Sequence, residues 1–346
     1  MKLTRRLILA AGAAGLTLST ALPAAAQEKI AKIGIAIPAA THGWTGGVNF
    51  HTERTIKAME AAFPQLEFVL TTAGDVQTQV NNVEDLIAQQ IDALVILPME
   101  SDPLTEPVKA AKDRGIFITA VDRGLSEEGV EDLYVGGNNP QYGVVAAEYF
   151  KGKFPDGGKI VVMRGIPTAI DNIRIEAFQK TLEGSGIEIL DMQYANWNPD
   201  KAFEVMQDYL TRFPEIDGVW AGDDDAALGA RAAIELPRPR QGQLHHPIGR
   251  ACRQRRLGAA IEQAGREEGM VLLGGSGMNR VIKMIMDGDT LIDANIFYPP
   301  TLIAPAIEVT AMRYATQSPI RGRYVLDSPL ITKDNAEEFY FPDSPY

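Results

Sequence analysis

Apolar runs and helical spacing alternate along most of the chain. Residues 32–37, Lys-Ile-Gly-Ile-Ala-Ile, form a short run with almost no polar face, closed by Pro38. Such a run predicts a strand covered on both sides, as in a parallel sheet. Thr55, Met59 and Ala62, with Ile56 beside them, then share one face of a helix over about 50–62. The alternation continues with strands expected at 66–70, 93–97, 116–121 and 133–137, and helices at 75–90 and 104–114. Asn138-Asn139-Pro140 is a turn signal, after which the pattern restarts. Strands are expected at 159–163, 188–193, 218–221, 270–273 and 291–294, with helices at 142–153, 174–184, 199–213 and 279–286. Strands alternating with helices of this length predict right-handed βαβ units. Two such series predict an α/β protein of two similar parallel-sheet lobes sandwiched by helices, with a ligand cleft between them.

Two stretches depart from the pattern. Lys2, Arg5 and Arg6 precede an apolar segment from Leu7 to Leu22, and Ala24-Ala25-Ala26 closes it. A positive start, a hydrophobic middle and a small-residue end predict a signal peptide over residues 1–26. Thr4-Arg5-Arg6-Leu7 leaves the Sec and twin-arginine routes both open. The other stretch, residues 236–262, holds six arginines, three prolines, His245-His246 and Cys252, with no acidic residue before Glu262. Leu228-Gly229-Ala230-Arg231-Ala232-Ala233-Ile234-Glu235 returns at its end as Leu257-Gly258-Ala259-Ala260-Ile261-Glu262. It reads as an atypical insertion in the second lobe or a sequence irregularity. A surface for an anionic partner is the functional alternative.

Composition narrows the function. The 346 residues suffice for two domains with substantial cores. A formal net charge of −12, and −15 without Lys2, Arg5 and Arg6, argues against a nucleic-acid partner. A single cysteine in an exported chain excludes an internal disulfide and suits a periplasmic protein stabilised by its core.

The polar residues of interest stand at strand ends, where ligands collect in such sheets. His42, Trp44 and Thr45 lie in the loop expected after the first strand. Asp122 and Arg123 follow the strand at 116–121; a carboxylate accepts from hydroxyls while a guanidinium donates in a fixed fork. Arg174, expected to open a helix, offers a second fork from the other lobe. Ion pairing is the structural alternative for these charges, and core packing is the alternative for Trp44 and Trp197. Trp197 lies in a loop after the strand at 188–193, whereas Trp220 falls inside a strand and reads as core. Aromatic faces cover the apolar C–H faces of a sugar. Asp223-Asp224-Asp225 lacks the alternating ligands and closing Glu of a calcium loop, so Asp223 is expected at the cleft and Asp224 or Asp225 as a helix cap. Gly274-Gly275-Ser276-Gly277-Met278 lacks the last glycine of a nucleophile elbow, and His42, His51, His245 and His246 have no zinc spacing. No catalytic residue, cofactor or metal is expected. An exported enzyme using His42 and Asp122 is the alternative from another class, and an interaction module working through 236–262 is a third.

These pieces resemble the periplasmic sugar-binding proteins of ABC transporters, in the ribose-binding group of the type I periplasmic binding fold. The likeness covers about residues 30–332 apart from 236–262. Its carriers are Ile37 to Thr45, Ala120-Val121-Asp122-Arg123, Arg174 before Phe178, Val219 to Ala230, and Gly274 to Gly277. The resemblance implies three crossovers near 138, 297 and 326. It thereby implies one lobe of 27–137 plus 298–325 and another of 138–297 plus 326–346. It also implies a monomer that closes over one small neutral sugar or polyol and delivers it to an inner-membrane permease. His42, Trp44 and Thr45 then match the first binding loop, Asp122 and Arg123 the ligand-binding pair, and Arg174 the second-lobe arginine. Trp197 matches a stacking ring and Asp223 a position often filled by Asn or Asp. Ribose-binding members commonly have Phe-Asp where Gly275-Ser276 stand, and a Gln where Phe297 and Tyr298 stand. Ser276, Phe297 and Tyr298 are therefore expected to set a different preference among pentoses, hexoses and sugar alcohols.

Overall fold

A computed structural model describes residues 29–235 and 269–346. The expected signal peptide and the arginine-rich stretch 236–262 lie outside the described residues.

The first lobe is built on a fully parallel six-stranded sheet. Its strands are β1 (Ala31–Pro38), β2 (Leu66–Ala73), β3 (Ala93–Ile96), β4 (Phe117–Val121), β5 (Leu133–Gly137) and β11 (Gly322–Leu326), in the order β11-β5-β4-β3-β1-β2. The central strands are buried along their whole length, which is why they read as apolar runs. Helices α1 (Gly43–Ala62), α2 (Val76–Ala88) and α3 (Ser101–Asp113) connect them.

The chain then builds a second parallel sheet in the order β7-β6-β8-β9. It comprises β6 (Gly158–Arg164), β7 (Ile187–Tyr194), β8 (Gly218–Ala221) and β9 (Val271–Leu273). Its helices are α4 (Asn139–Lys153), α5 (Ala169–Leu182), α6 (Pro199–Arg212), α7 (Asp224–Glu235) and α8 (Asn279–Asp287). Two short strands, β10 (Ala294–Ile296) and β12 (Leu330–Thr332), pair antiparallel beside it. Between them α9 (Ile303–Ala315) packs on α1, and β11 joins the edge of the first sheet. The chain thus passes between the two sheets more than once. Among the described residues no helix is long and apolar enough to cross a membrane.

Three local expectations need correction. Helix α1 begins at Gly43, so Trp44 and Thr45 occupy its first turn and not a loop. Thr45 Oγ1 accepts from the backbone N–H of His42 (3.2 Å), which closes the helix start early. Helix α5 begins at Ala169, so Arg174 sits in its second turn. The strand expected at 291–294 forms at Ala294–Ile296, because Asp289 Oδ1 accepts from the N–H groups of Leu291 and Ile292 and turns the chain there.

Residues 341–346 tie the two lobes together. Asn279 at the start of α8 donates to the carbonyls of Phe341 and Ser344 and accepts from the Phe341 N–H. From that anchor the segment reaches α1, where Ser344 Oγ bonds His51 Nε2 (3.1 Å). The Tyr346 side chain fills the notch left by Gly43 and Gly47; a Cβ on Gly47 would lie 2.9 Å from the Cβ of Tyr346.

Candidate ligand-binding cleft

The carboxyl ends of both sheets face a cavity between the lobes. It is lined by His42, Trp44, Asp122 and Arg123 from the first lobe, by Ile170, Arg174, Trp197, Asp223 and Ser276 from the second, and by Tyr298 between them.

The first wall is fixed largely by its own backbone. Asp122 leaves β4 in the left-handed region (φ 59°), stabilised by the Tyr134 hydroxyl donating to its carbonyl (2.7 Å). Arg123 Nη1 donates to the carbonyls of Met99 (2.8 Å) and Pro98 (3.3 Å), while its Nε lies 3.7 Å from Asp122 Oδ2. Trp44 Nε1 donates to the Tyr298 carbonyl (3.0 Å), so this ring is oriented by a polar contact and not by core packing alone.

Tyr298 joins the two walls. Its hydroxyl donates to Asp122 Oδ1, and its ring lies 4.4 Å from the Arg174 guanidinium carbon. Tyr142 covers the guanidinium too, at 4.2 Å, and Arg174 Nε donates to Asn139 Oδ1 (2.7 Å). Two aromatic rings and one amide thereby hold a buried cation in one plane, which Arg suits better than Lys. Gly137 makes room for this arrangement: a Cβ there would sit 2.0 Å from Tyr298 Cε2.

The second wall carries more backbone strain. Asn196 and Trp197 are both left-handed (φ 58° and 52°), and Ser276 has φ 113°. Such conformations persist only where the surroundings hold them, and they gather at functional sites. Trp197 is held against Gly165, where a Cβ would come within 2.1 Å of Cε2, and Arg123 reaches across the cleft to within 5.7 Å of the indole.

The three consecutive aspartates diverge. Asp223 Oδ1 accepts from the Ala226 N–H (2.8 Å) as the cap of α7. Asp224 Oδ2 accepts from the Met278 N–H (2.7 Å), and its Oδ1 accepts from Asn295 Nδ2 (2.5 Å), which steadies the loop bearing Ser276. Asp225 Oδ2 crosses the cleft to accept from the Gly43 N–H (3.1 Å) at the start of α1. The α7 cap is therefore Asp223, and the other two carboxylates serve other elements, contrary to the expected division. Burial, with the charge of Asp225 next, holds Asp223 well above the usual carboxylate range. Burial also pushes Asp224 up to about 7 and raises Asp225. In the opposite wall, burial with Arg123 nearby lowers His42 to about 4, leaving it neutral at ordinary pH.

Nine of the residues singled out from sequence thus line one cavity; Thr45 and Phe297 do not. Thr45 spends its hydroxyl on the start of α1. Phe297 packs against Phe339 (ring centroids 4.7 Å apart), away from the cleft, because neighbouring residues in extended chain face opposite ways. Trp220 packs in the core against Phe178, as its place in a strand suggests. Ile170 and two partners of Arg174, Asn139 and Tyr142, escaped sequence reading. Ile170 lines the cavity one helical turn before Arg174, a spacing that could have located it. Asn139 sits behind Arg174 and left no signal beyond the turn it belongs to.

Comparison with known proteins agrees with this geometry. The family profile described as a periplasmic binding protein domain matches residues 33–317. The ribose import binding protein of Bacillus subtilis (strain 168) is 30% identical over 48% of this chain and 54% of its own length. The chain thus spans about half the length of that relative and of the other ribose-binding proteins it matches. The xylitol-binding protein of Mycolicibacterium smegmatis is 28% identical over 95% of this chain and 86% of its own. A solute-binding protein from Bacillus halodurans C-125, solved with myo-inositol, superposes with a TM-score of 0.74 at 21% identity, covering 90% of this chain and 98% of that one. One from Mycobacterium smegmatis, solved with glycerol, gives 0.73 at 25%, covering 91% and 98%. The family consists of non-catalytic solute-binding proteins, which sets aside the alternative of an exported enzyme. With two parallel-sheet lobes, a cavity between their carboxyl ends and a profile match across most of its length, the chain belongs to the periplasmic binding protein family, in its type I fold.

Proposed function

We propose that this protein captures a small neutral carbohydrate, a monosaccharide or sugar alcohol, in the periplasm and delivers it to an ABC transporter permease. One observation carries the reading. His42 Nδ1, Arg123 Nε and Asp223 Oδ2 are buried without a hydrogen-bond partner, and all three residues line the cavity. Buried polar atoms are normally satisfied, so an unpaired set around a cavity describes what its occupant supplies. The set includes donor and acceptor groups from both lobes and is flanked by two tryptophans, which suits hydroxyls on an apolar carbon frame. A neutral His42 and the raised Asp223 keep the charge of the site low and favour an uncharged ligand. The ribose-, xylitol- and D-apiose-binding relatives support the same ligand class. His42, Trp44, Asp122, Arg123, Arg174, Trp197, Asp223, Ser276 and Tyr298 are the proposed contacts.

Ligand touching both lobes stabilises their closed arrangement. Calorimetric titration of ligand-stripped protein with pentoses, hexoses and C3–C6 polyols should give one saturable site for at least one of them. Uniform absence of heat and of any melting shift, with folded protein, would overturn the reading. Mass spectrometry of small molecules retained on purified protein would identify the ligand.

A further inference from the structure

We propose that His42, Asp223 and Asp225 form a divalent-cation site that bridges the two lobes at the inner edge of the cleft, of a type suited to Zn²⁺ or Mn²⁺. One donor atom from each residue lies within 4.8 Å of the other two. His42 stands at the start of α1 in the first lobe, while both aspartates follow β8 in the second. His42 and Asp223 are 181 residues apart in sequence, so no local spacing could announce the cluster.

A second observation points to a ligand for these groups. Asp223 is 4% exposed and its Oδ2 has no partner; His42 Nδ1 is likewise buried and unpaired. Asp225 uses one oxygen, Oδ2, for the Gly43 N–H. Asp223 and Asp224 are almost wholly buried, and Arg174 acts on Asp223 only at a distance, without a hydrogen bond. A cation held between His42 Nδ1 and Asp223 Oδ2 would satisfy both orphaned atoms at once, with the buried carboxyls giving up their protons as it binds.

The donor types fit. A neutral imidazole offers a lone pair to a borderline metal, and two carboxylates offer hard, anionic oxygens. Donors held about 2.0–2.2 Å from such an ion lie roughly 3–4 Å from one another, so the observed spacing needs only small rotations to close. Because the donors come from both lobes, the site is complete only when the lobes are together.

His42 and Asp223 also line the cavity, but Asp225 does not, which makes Asp225 the residue that separates the two occupants. Asp225→Asn keeps a carbonyl oxygen for the Gly43 N–H and removes the charge a metal needs. Ligand-stripped, chelator-treated full-length protein should bind one Zn²⁺ per chain in a calorimetric titration. Asp225→Asn and His42→Gln should each weaken that binding at least tenfold. Co²⁺ in place of Zn²⁺ should give a visible absorption band that His42→Gln abolishes. Circular dichroism checks the fold of each variant, and either one suffices if the other misfolds. No saturable binding would overturn the proposal. Equal titration in parent and variants would overturn it too, placing the ion elsewhere, for instance on His245, His246 or Cys252. Because sugar and ion compete for His42 Nδ1 and Asp223 Oδ2, polyol titration is run on metal-free protein: polyol binding without zinc binding overturns the cation site alone, and zinc binding without polyol binding overturns the carbohydrate reading alone.

Discussion

The two walls of the cleft carry titratable groups displaced in opposite directions by the same cause. On the first wall burial lowers His42; on the second it raises Asp223, Asp224 and Asp225. Low polarity disfavours whichever form is charged, so a base is pushed down and acids are pushed up. The charges of Asp122, Arg123 and Arg174 are matched differently. Asp122 has Tyr298 and Arg123 beside it, Arg123 has two backbone carbonyls, and Arg174 has two aromatic faces and Asn139. The difference teaches that the closed interior holds charge where fixed partners compensate it and drives the remaining groups toward neutrality.

Two isosteric changes test this most strongly. Asp122→Asn removes a compensated charge and strands the buried Arg123, which should cost about 3–5 kcal/mol of stability in urea unfolding. Asp223→Asn replaces a carboxyl already driven toward neutrality while keeping an oxygen for the α7 cap, and should cost less than about 1 kcal/mol. Similar losses at both positions would break the comparison.

The pH dependence comes next, measured with chelator present. The folded value of His42 lies below its unfolded one, so its contribution is complete above about 6.5 and is lost as pH falls toward about 4, amounting to about 3 kcal/mol. The parent should therefore lose stability relative to His42→Gln between pH 7 and 4. Asp224 has the opposite sign: its folded value of about 7 exceeds the usual 3.8, so stability present at low pH is lost as pH rises toward and through 7. Asp224→Asn should remove that loss. Stability curves in which both variants run parallel to the parent would contradict the assignment.

Smaller effects are expected from the rings. Trp44→Ala and Trp197→Ala should each weaken carbohydrate binding by about 1–3 kcal/mol, without strict additivity. A loss confined to Trp44 would make the first wall the binding surface and the second a cover. Smallest of all, Asn279→Ala should destabilise the closed form by about 1 kcal/mol, visible as a larger radius of gyration in solution scattering of the empty protein.

Much of this was legible in the sequence because strand ends and turns are local. Asp122-Arg123 directly follows an apolar run, and the alternation of runs and helical spacing gave both sheets their strands through β9. The edge strand β11 was missed because Arg323, Tyr324 and Val325 are exposed and show no buried face. Phe297 and Tyr298 could not be separated, since adjacent residues differ only in which way the chain turns them. The Tyr142–Arg174–Tyr298 stack was hidden for another reason: its members come from α4, α5 and the segment after β10. Sequence distance conceals such a contact until the fold closes it.

The segment 341–346 has a consequence for how affinity evolves. Its bonds to Asn279 and His51 and the seat of Tyr346 span the lobes without lining the cavity. They set how often the empty protein is already closed, and apparent affinity scales with that fraction for any ligand that binds the closed form. Ser344→Ala would then shift every dissociation constant by one common factor while leaving the ranking of sugars alone. Strength and selectivity of capture are carried by separate residues, so either can drift without the other.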